Sequence, residues 1–479
     1  MFKRFHLDVK SAPARFATPG PTGIIEGDGC LNCSNCVKKF CVYSVYEKRR
    51  YDGRQMFDTA DSLCKNCYRC VQGCYGRILS KSRNPEFRLM GNDYWKPEII
   101  ATTQSQAETG KIPVSGGGYG GPFAGAGFDS MWTDMSEIVR PTRDGIHGRE
   151  YISTAVTLGC MPENPGSRVD SPADGPAAVP PPRVDLSIPM IFDLLPFGGY
   201  STVFSAMAAA AREANTLMIV PAGLWTGELL SFSRHLIPML PDGSPGGLGK
   251  ALDGVRMVEI PLQRDVSCRI QALKERRPDL VVSVRVPVTP AAKREAEALT
   301  HSGVEVIHFV AEGDGREYDA SSPRFIKDVI REVHLSLVAQ GLRDRVTLIF
   351  GGGIALAEHV GKAVICGADA VSLERPLLIA LECRLCGQCA QGRFCPVELE
   401  NIQPRWGRQR IVNLMAAWHG QLLEVLGAMG LRDLRRMRGE AGRAIFREEI
   451  EKDTFGRLFG PPVMRDDREG EGGSHVLAT

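Results

Sequence analysis

The sequence has no excess of charge of either sign and no long apolar run. Its 58 lysines and arginines nearly balance 56 aspartates and glutamates, which excludes the strongly basic surface that binds nucleic acid. No run reaches the ~20 apolar residues that a membrane span needs, and the start, "MFKRFHLDVK", lacks the apolar core of a signal peptide. We therefore expect a cytoplasmic protein with no membrane span and no nucleic-acid partner.

Cysteine, in contrast, is abundant. Disulfides are rare in the cytoplasm, so 15 cysteines need another explanation as metal ligands, reactive thiols or core residues. Cys160, Cys268 and Cys366 stand alone, and we interpret each of them as a small buried hydrophobe. The others fall into three close groups.

The first two groups repeat one spacing near the start of the chain. Their members are Cys30, Cys33, Cys36 and Cys41, then Cys64, Cys67, Cys70 and Cys74. This doubled pattern is close to the bacterial ferredoxin run, in which three thiolates bind one cubane and the fourth crosses to the other. It predicts one [4Fe-4S] cluster on Cys30, Cys33, Cys36 and Cys74 and a second on Cys64, Cys67, Cys70 and Cys41. Zinc is the alternative, because two C-x2-C pairs can also supply four thiolates.

The third group lies in "CRLCGQCAQGRFCPVE". Cys383, Cys386 and Cys389 repeat the C-x2-C-x2-C spacing, and Cys395 follows after a longer gap with Pro396 behind it. We predict a third iron-sulfur cluster here, again with zinc as the alternative.

The middle of the chain alternates short apolar runs with helical patterns. The runs are 188–195, 216–220, 235–240, 255–260, 279–286, 304–310, 346–350 and 369–373. Apolar strands that alternate with helices indicate a parallel sheet, and eight of them predict an α/β fold, a (β/α)8 TIM barrel. The runs 235–240 and 255–260 are the weakest, because a loop rather than a helix separates them. A doubly wound sheet is the competing fold.

These patterns divide the chain into five parts. We expect a ferredoxin-like domain at 1–95, a Gly- and Pro-rich irregular segment at 96–185 and the barrel at 186–382. A cluster loop and C-terminal helices follow at 383–460, and a disordered tail at 461–479.

A flavin is the usual partner of iron-sulfur clusters, because it pairs single electrons. The seventh predicted strand ends in Gly351, Gly352 and Gly353, where the backbone can approach a phosphate closely, and Arg375 follows the eighth. This arrangement predicts FMN. "GGGYGG" at 116–121 matches a dinucleotide fingerprint, but no helical pattern follows it, so we expect NAD(P)H to bind another subunit.

Several segments together resemble the FMN-binding domain of glutamate synthase, in particular the archaeal-type large subunit with an N-terminal two-cluster ferredoxin unit. They are "GLRDRVTLIFGGGIALAEHVGKAVICGADAV", "LLIALECRLCGQCAQGRFCPVE" and "LLPFGGYS". The resemblance implies that Gly198, Gly199 and Ser201 lie near the isoalloxazine ring. It also implies that Gly351, Gly352, Gly353 and Arg375 lie near the phosphate.

The departures from this family concentrate where its substrate binds. The family lysine that contacts flavin and 2-oxoglutarate is replaced by Arg285, whose forked guanidinium cannot substitute for it atom for atom. The segment 311–323 also contains four additional acidic residues, which are Glu312, Asp314, Glu317 and Asp319. By position, Arg285, Glu312 and Asp314 are the catalytic candidates.

The resemblance implies reductive amination of 2-oxoglutarate to glutamate in a hetero-oligomeric complex. Separate redox subunits, linked to NAD(P)H or ferredoxin, and a glutamine amidotransferase subunit would then be the partners. The alternative is a flavin and iron-sulfur electron-transfer subunit without 2-oxoglutarate chemistry. The family's third cluster is a [3Fe-4S] cluster with three ligands, and Cys386 is an additional thiolate here. We therefore predict three [4Fe-4S] clusters in all, with [3Fe-4S] as the alternative for the third.

Overall fold

The structure, a computed structural model, describes most of the chain. The described residues are 5–16, 18–47, 59–112, 125–133, 151–159, 181–197, 199–225, 227–241 and 254–459. The predictions for Gly198, Cys160, the run 116–121 and the tail 461–479 lie outside these ranges.

The cysteine-rich N-terminal region has a small sheet and a small core. Strands β1 (Thr22–Glu26) and β2 (Leu79–Arg83) pair antiparallel, and the short helix α1 (Arg69–Gly73) lies beside them. The buried core of this region contains Val45, Tyr46, Cys64, Cys70 and Leu79. So small a core contributes little hydrophobic stabilisation, which fits a unit held together by bound metal.

Helices α2 (Pro85–Arg88) and α3 (Pro97–Thr109) pack on the barrel. Helix α3 lies within 96–185, so the prediction of an irregular segment was wrong there. Pro97 occupies the first turn and Gly110, at φ +65°, ends the helix. The buried face is half polar and includes Thr103 and Gln104, which hid the helical pattern.

Three short strands follow before the barrel: β3 (Met131–Thr133), β4 (Val156–Gly159) and β5 (Arg183–Leu186). Strands β4 and β5 form an antiparallel pair. The backbone of Gly159 exchanges two hydrogen bonds with the Thr347 hydroxyl, at 3.1 and 3.0 Å. Since Thr347 begins a barrel strand, this pair lies at the amino-terminal end of the barrel.

Eight parallel strands close into a barrel. They are β6 (Met190–Phe192), β7 (Met218–Pro221), β8 (Leu236–Met239), β9 (Met257–Pro261), β10 (Val281–Pro287), β11 (Val306–Val310), β12 (Thr347–Gly351) and β13 (Ala370–Leu373). Each strand pairs with the next along the chain, and β13 pairs with β6. All eight predicted strands are present, including the two weak ones. The (β/α)8 barrel is confirmed and the doubly wound sheet is excluded.

Helices surround the barrel and follow it. They are α4 (Ser201–Glu213), α5 (Gly227–Leu230), α6 (Val266–Arg276), α7 (Ala292–His301), α8 (Ile326–Ala339), α9 (Ala357–Cys366), α10 (Arg375–Ala380), α11 (Pro404–Ala428) and α12 (Arg447–Phe459). None of the helices in the described ranges is both long and apolar enough to cross a membrane.

The long helix α11 joins the N-terminal arm, residues 5–16, to the barrel. The buried Arg410 side chain donates to the carbonyl oxygens of Ala12 (2.8 Å), Gln104 (3.1 Å) and Ala380 (2.6 Å). Beyond α11, the prediction of C-terminal helices up to residue 460 was wrong over 431–446. The structure has turns there instead, then strand β14 (Ala444–Phe446), which pairs with β3, before α12 begins. Gly439, at φ +75°, interrupts the helix.

Candidate functional site

Five polar side chains form a closed ring inside the carboxyl-terminal end of the barrel, the end at which barrel enzymes place their active sites. We call this set the polar ring. Its members are Asp193, just after β6, Glu259 on β9, Arg285 on β10, His308 on β11 and Ser372 on β13. All but Arg285 are almost fully buried, and the Arg285 side chain is 18% exposed.

Each member of the ring contacts the next. Arg285 donates to Asp193 at 2.7 Å and to Glu259 at 3.0 Å. His308 Nδ1 lies 2.8 Å from Glu259 Oε2, and His308 Nε2 lies 2.8 Å from Ser372 Oγ. The Ser372 hydroxyl is 3.0 Å from Asp193 Oδ2, which closes the ring. Such a buried network fixes the position of the guanidinium.

Both carboxyl groups of the ring are held in their ionised form. Burial by itself would raise the pKa of Asp193, but the charge of Arg285, together with that of His308 when its imidazole is protonated, outweighs burial and lowers it. The pKa of Glu259 is lowered for the same reasons, with His308 as the larger cause. In turn, the two carboxylates raise the pKa of Arg285 against the effect of burial. The predicted catalytic Arg285 is therefore a permanently charged group with two partners.

The three predicted glycines at the end of β12 are tightly packed. A Cβ atom on Gly351 would lie 2.1 Å from Ser372 Oγ, and one on Gly352 would lie 2.6 Å from the Glu312 carbonyl oxygen. A Cβ atom on Gly353 would lie 2.6 Å from Gly315 Cα. Only glycine fits at these three positions.

The backbone of this glycine loop also has free donors. The N–H groups of Gly352, Gly353 and Ile354 are buried and make no hydrogen bond to any part of the chain that the structure describes. Buried N–H groups without a partner are rare, and three in succession before helix α9 form a typical anion cradle. They fit the phosphate of FMN.

Arg375 lies at the same cradle. Its guanidinium packs against Gly313, where a Cβ atom would lie 1.1 Å from Nη1. Arg375 Nη1 is buried without a hydrogen-bond partner in the described ranges and lies 3.2 Å from Glu374 Oε1. Burial raises the pKa of Glu374 to about 7, so this neighbour is partly neutral near neutral pH. A free guanidinium donor beside the free amides is again what a phosphate requires.

Two aromatic residues of the N-terminal region complete the wall around these loops. The Tyr94 hydroxyl donates to the Gly353 carbonyl oxygen, and Trp95 Nε1 donates to the Gly313 carbonyl oxygen at 2.8 Å. Neither contact could be predicted from the sequence, because the residues that each contact joins are more than 200 positions apart.

The other predicted barrel residues are spread around the mouth. Glu312 is exposed, and Asp314 lies 3.8 Å from Arg316. No hydrogen bond or ion pair within the described residues joins either acid to Arg285. Gly199 and Ser201 are exposed at the start of α4. The structure thus brings Arg285, the glycines and Arg375 to one end of the barrel but does not unite Arg285 with Glu312 and Asp314.

In the N-terminal region, four cysteines line one cavity of about 260 Å³, a volume that includes solvent at its mouth. They are Cys41, Cys64, Cys67 and Cys70, the set predicted for the second cluster. The Lys81 ammonium lies 3.0 Å from Cys64 Sγ. Burial lowers the pKa of Lys81, but its contacts with these sulfurs outweigh burial and raise it. Cys36 and Cys74 of the other predicted set pack against the same small core.

The third cysteine group lines a separate cavity of about 290 Å³, which also includes solvent. Cys383, Cys386, Cys389 and Cys395 all contribute to its wall. Phe197, five residues after the end of β6, lies in the same wall. This cavity therefore adjoins the segment that leads into the predicted flavin site.

All three cysteine groups share one backbone pattern. The second and fourth residues after the first cysteine of each group have positive φ. They are Asn32 and Ser34, Asn66 and Tyr68, and Leu385 and Gly387. A left-handed tyrosine or leucine costs about 1–2 kcal/mol, so this conformation requires a compensating interaction. The pattern turns successive sulfurs and amides toward one centre, and the third group has it with Cys386 in the same place as Cys33 and Cys67.

The sulfur atoms of the described cysteines stand farther apart than the ligands of one zinc ion. Four thiolates around one zinc ion stand about 3.8 Å apart, given Zn–S bonds of about 2.3 Å. Within the described residues, no three cysteine sulfurs lie within 4.8 Å of one another. In a cubane each thiolate binds a different iron, so the sulfurs stand farther apart. The two cavities described above fit that larger group.

The sequence is similar to one protein family and to several individual glutamate synthases. Residues 250–432 match the conserved region in glutamate synthase. The predicted resemblance to glutamate synthase is confirmed. The archaeal-type glutamate synthase [NADPH] of Dehalococcoides mccartyi is 25% identical over 86% of this chain and 92% of its own length. The archaeal glutamate synthase [NADPH] of Archaeoglobus fulgidus is 25% identical over 90% of this chain and 95% of its own.

The solved structures that are similar to this chain include a flavocytochrome b2 variant with benzoylformate. It is 12% identical, covers 81% of this chain and 87% of its own, and has a TM-score of 0.45.

Proposed function

We propose that the chain is an FMN- and iron-sulfur-dependent oxidoreductase of glutamate synthase type. Electrons would pass from two N-terminal [4Fe-4S] clusters, through a third at Cys383, Cys386, Cys389 and Cys395, to FMN at the barrel mouth. The observation that carries the proposal is the cavity of the third group, because Phe197 forms part of its wall. Bound FMN would supply the exchange between single electrons and electron pairs.

The residues at the mouth have separate roles in this proposal. The free amides of Gly352, Gly353 and Ile354, with Arg375, would hold the phosphate. Arg285, fixed by Asp193 and Glu259, would present a permanent positive charge to the isoalloxazine ring, as the relatives' lysine does by resemblance.

Two activities are compatible with this site, and the first is the reductive amination of 2-oxoglutarate to glutamate. The similarity to two glutamate synthases over most of the chain supports it. In a cytoplasmic hetero-oligomer, separate subunits would then provide reducing equivalents and ammonia.

The second activity is electron transfer within a larger redox complex, and the charges at the mouth favour it. A substrate with two carboxylates needs cations that can meet it. Arg285 already faces Asp193 and Glu259, and Arg324 faces Glu317 and Glu332. Each of these arginines would have to leave a carboxylate before it could bind the substrate.

One experiment separates the two activities. The protein is purified without oxygen, its FMN and iron are measured, and it is reduced with dithionite. Either 2-oxoglutarate with ammonium or an oxidised viologen is then added, and the flavin and cluster absorbance is followed together with glutamate.

The outcomes are distinct. Reoxidation by 2-oxoglutarate with formation of glutamate establishes the synthase. Reoxidation by the viologen alone establishes the electron-transfer subunit. Protein that retains no FMN, or far fewer than about twelve irons per chain after anaerobic reconstitution, contradicts the proposal as a whole.

A further inference from the structure

Within the polar ring, the contact between His308 and Ser372 can gain or lose a proton without moving any heavy atom. The ionised carboxylates of Asp193 and Glu259 can only accept hydrogen bonds, and Arg285 can only donate them. His308 Nδ1, 2.8 Å from Glu259 Oε2, must therefore carry a proton. His308 Nε2 faces the Ser372 hydroxyl, which can either donate or accept.

The ring consequently has two protonation states, and only the second fills every contact, because the single Ser372 proton cannot be donated to both His308 Nε2 and Asp193 Oδ2. In the first, Ser372 donates to His308 Nε2, the imidazole is neutral and the ring has a net charge of −1 from two carboxylates and one guanidinium. In the second, His308 Nε2 donates to Ser372 Oγ, and the hydroxyl turns its proton to Asp193 Oδ2 at 3.0 Å. The imidazole is then charged and the ring is neutral.

The ring lies directly behind the cradle that fits the flavin phosphate. A Cβ atom on Gly351 would meet Ser372 Oγ at 2.1 Å, Asp193 Oδ2 at 3.3 Å and His308 Nε2 at 3.5 Å. Arg285, the ring member that is partly exposed, is the residue assigned to the isoalloxazine. A change of one charge in this buried ring is weakly screened, so it acts strongly on a redox group at the mouth.

We infer that His308 is a positioning residue of the redox site, and that it takes up one proton through Ser372 when electrons enter the flavin. The inference rests on the proposed function. The electrons come from the iron-sulfur clusters and the proton from solvent. The new bond is His308 Nε2–H, and no bond to carbon forms or breaks. Reduction at the mouth then leaves the ring neutral instead of negative.

Other titratable and charged groups face the mouth of the barrel, and their contribution to the pH dependence must be separated from that of His308. Glu374 precedes α10, Arg375 lies beside it, and Tyr318 donates to the Ala311 carbonyl oxygen at 3.2 Å. Of these, Glu374 titrates near neutral pH, at about 7. A Glu374→Gln background removes its contribution.

The test is the pH dependence of the flavin midpoint potential in that background. Spectroelectrochemical titrations between about pH 6 and 9 are made for the parent, His308→Gln and Ser372→Ala. His301→Gln, an exposed histidine at the end of α7, is the matched control. We expect the parent and His301→Gln to take up one more proton per reduced flavin than His308→Gln and Ser372→Ala. Equal proton uptake in all four proteins overturns the inference.

A second measurement does not depend on the midpoint potential. With 15N-labelled histidine, the nine histidines give ring signals. The signal that is absent from the spectrum of His308→Gln belongs to His308. We expect His308 to change from one ring N–H to two on reduction. A His308 that keeps one N–H in both redox states, in protein that binds flavin, overturns the inference alone. Protein that binds no flavin contradicts the proposed function. If His308 in that flavin-free protein also keeps one ring N–H across the whole pH range, the inference is overturned independently of the proposed function.

Discussion

Arg15 holds the carboxylate of Glu382, the residue immediately before the third cysteine group. Arg15 Nε lies 3.1 Å from Glu382 Oε2, and the backbone N–H of Arg15 donates to Glu382 Oε1 at 2.5 Å. Arg15 Nη2 also donates to the Val397 carbonyl oxygen at 2.6 Å, just beyond Cys395. One guanidinium therefore joins both ends of the cluster loop, and it supports Glu382 at φ +75°.

We predict that Arg15→Met weakens the third cluster selectively. The substitution leaves the buried Glu382 carboxylate without its charged partner, at a cost of roughly 1–3 kcal/mol. The measurement is iron per chain and the spectrum of each cluster after repeated gel filtration. Arg393→Met, which removes an exposed charge from the same loop, is the control. Equal iron loss in both variants would contradict the prediction.

We predict that Cys386→Ser converts the third cluster to [3Fe-4S]. Cys383, Cys389 and Cys395 would remain, and one iron would lose its thiolate. Electron paramagnetic resonance of the oxidised protein should show a new three-iron signal, with a loss of about one iron per chain. Cys268 is exposed on α6, so the prediction that it is buried was wrong. Cys268→Ser should leave the spectrum unchanged. A variant spectrum identical to that of the parent would show that Cys386 is not a ligand.

We predict that Gly353→Ala lowers FMN affinity far more than Gly303→Ala does. Both positions have positive φ, +67° and +79°, so the strain of a side chain, about 1 kcal/mol, is common to both. A Cβ atom at Gly303 meets nothing within 4 Å, whereas one at Gly353 meets Gly315 Cα at 2.6 Å. The comparison, made by fluorescence titration with FMN, isolates the geometry of the cradle. Equal affinities would place the phosphate elsewhere.

We predict that Glu374→Gln stabilises the protein at pH 8 but not at pH 4.5. The pKa of Glu374 is about 7 in the folded protein and 4.5 as its ordinary value. A raised pKa means that the folded state binds the proton more tightly, so stability falls as pH rises from 4.5 through 7. The loss is at most about 3 kcal/mol, which glutamine removes.

The measurement for this prediction is the denaturant midpoint at the two pH values. Glu312→Gln, at an exposed acid of the same mouth, is the control and should change neither midpoint. A stabilisation by Glu374→Gln that is equal at both pH values would indicate a packing effect instead of a titration.

The sequence predicted the barrel well because its strands are short β-branched runs buried on both faces. It did not predict the polar ring, although the ring residues can be recognised in the sequence. Asp193, Glu259, His308 and Ser372 each stand as a single polar residue in or beside an apolar strand. Such isolated polar residues are a usable signal, because burial is costly without partners. Which of them share one layer depends on the stagger of the strands, which the sequence does not show.

The cysteine spacing predicted two sets of four cysteines that the structure places at separate cavities, since short turns fix which sulfurs can converge. It could not predict Arg15 or Trp95, whose partners lie hundreds of residues away. Helix α3 escaped prediction for a related reason. Its polar residues are buried because α11 and the barrel meet them, a tertiary effect that local periodicity does not reveal.

The contacts of Arg410 with Ala12, Gln104 and Ala380 have a consequence for biosynthesis. The N-terminal arm is the first part of the described chain to leave the ribosome, but its partners on α11 are made about 400 residues later. At the usual rate of about 5–20 residues per second, the arm waits at least about 20 seconds. The third cysteine loop, tied to this arm through Arg15, can close only after synthesis is nearly complete. Iron delivered during translation therefore meets the N-terminal cysteines first.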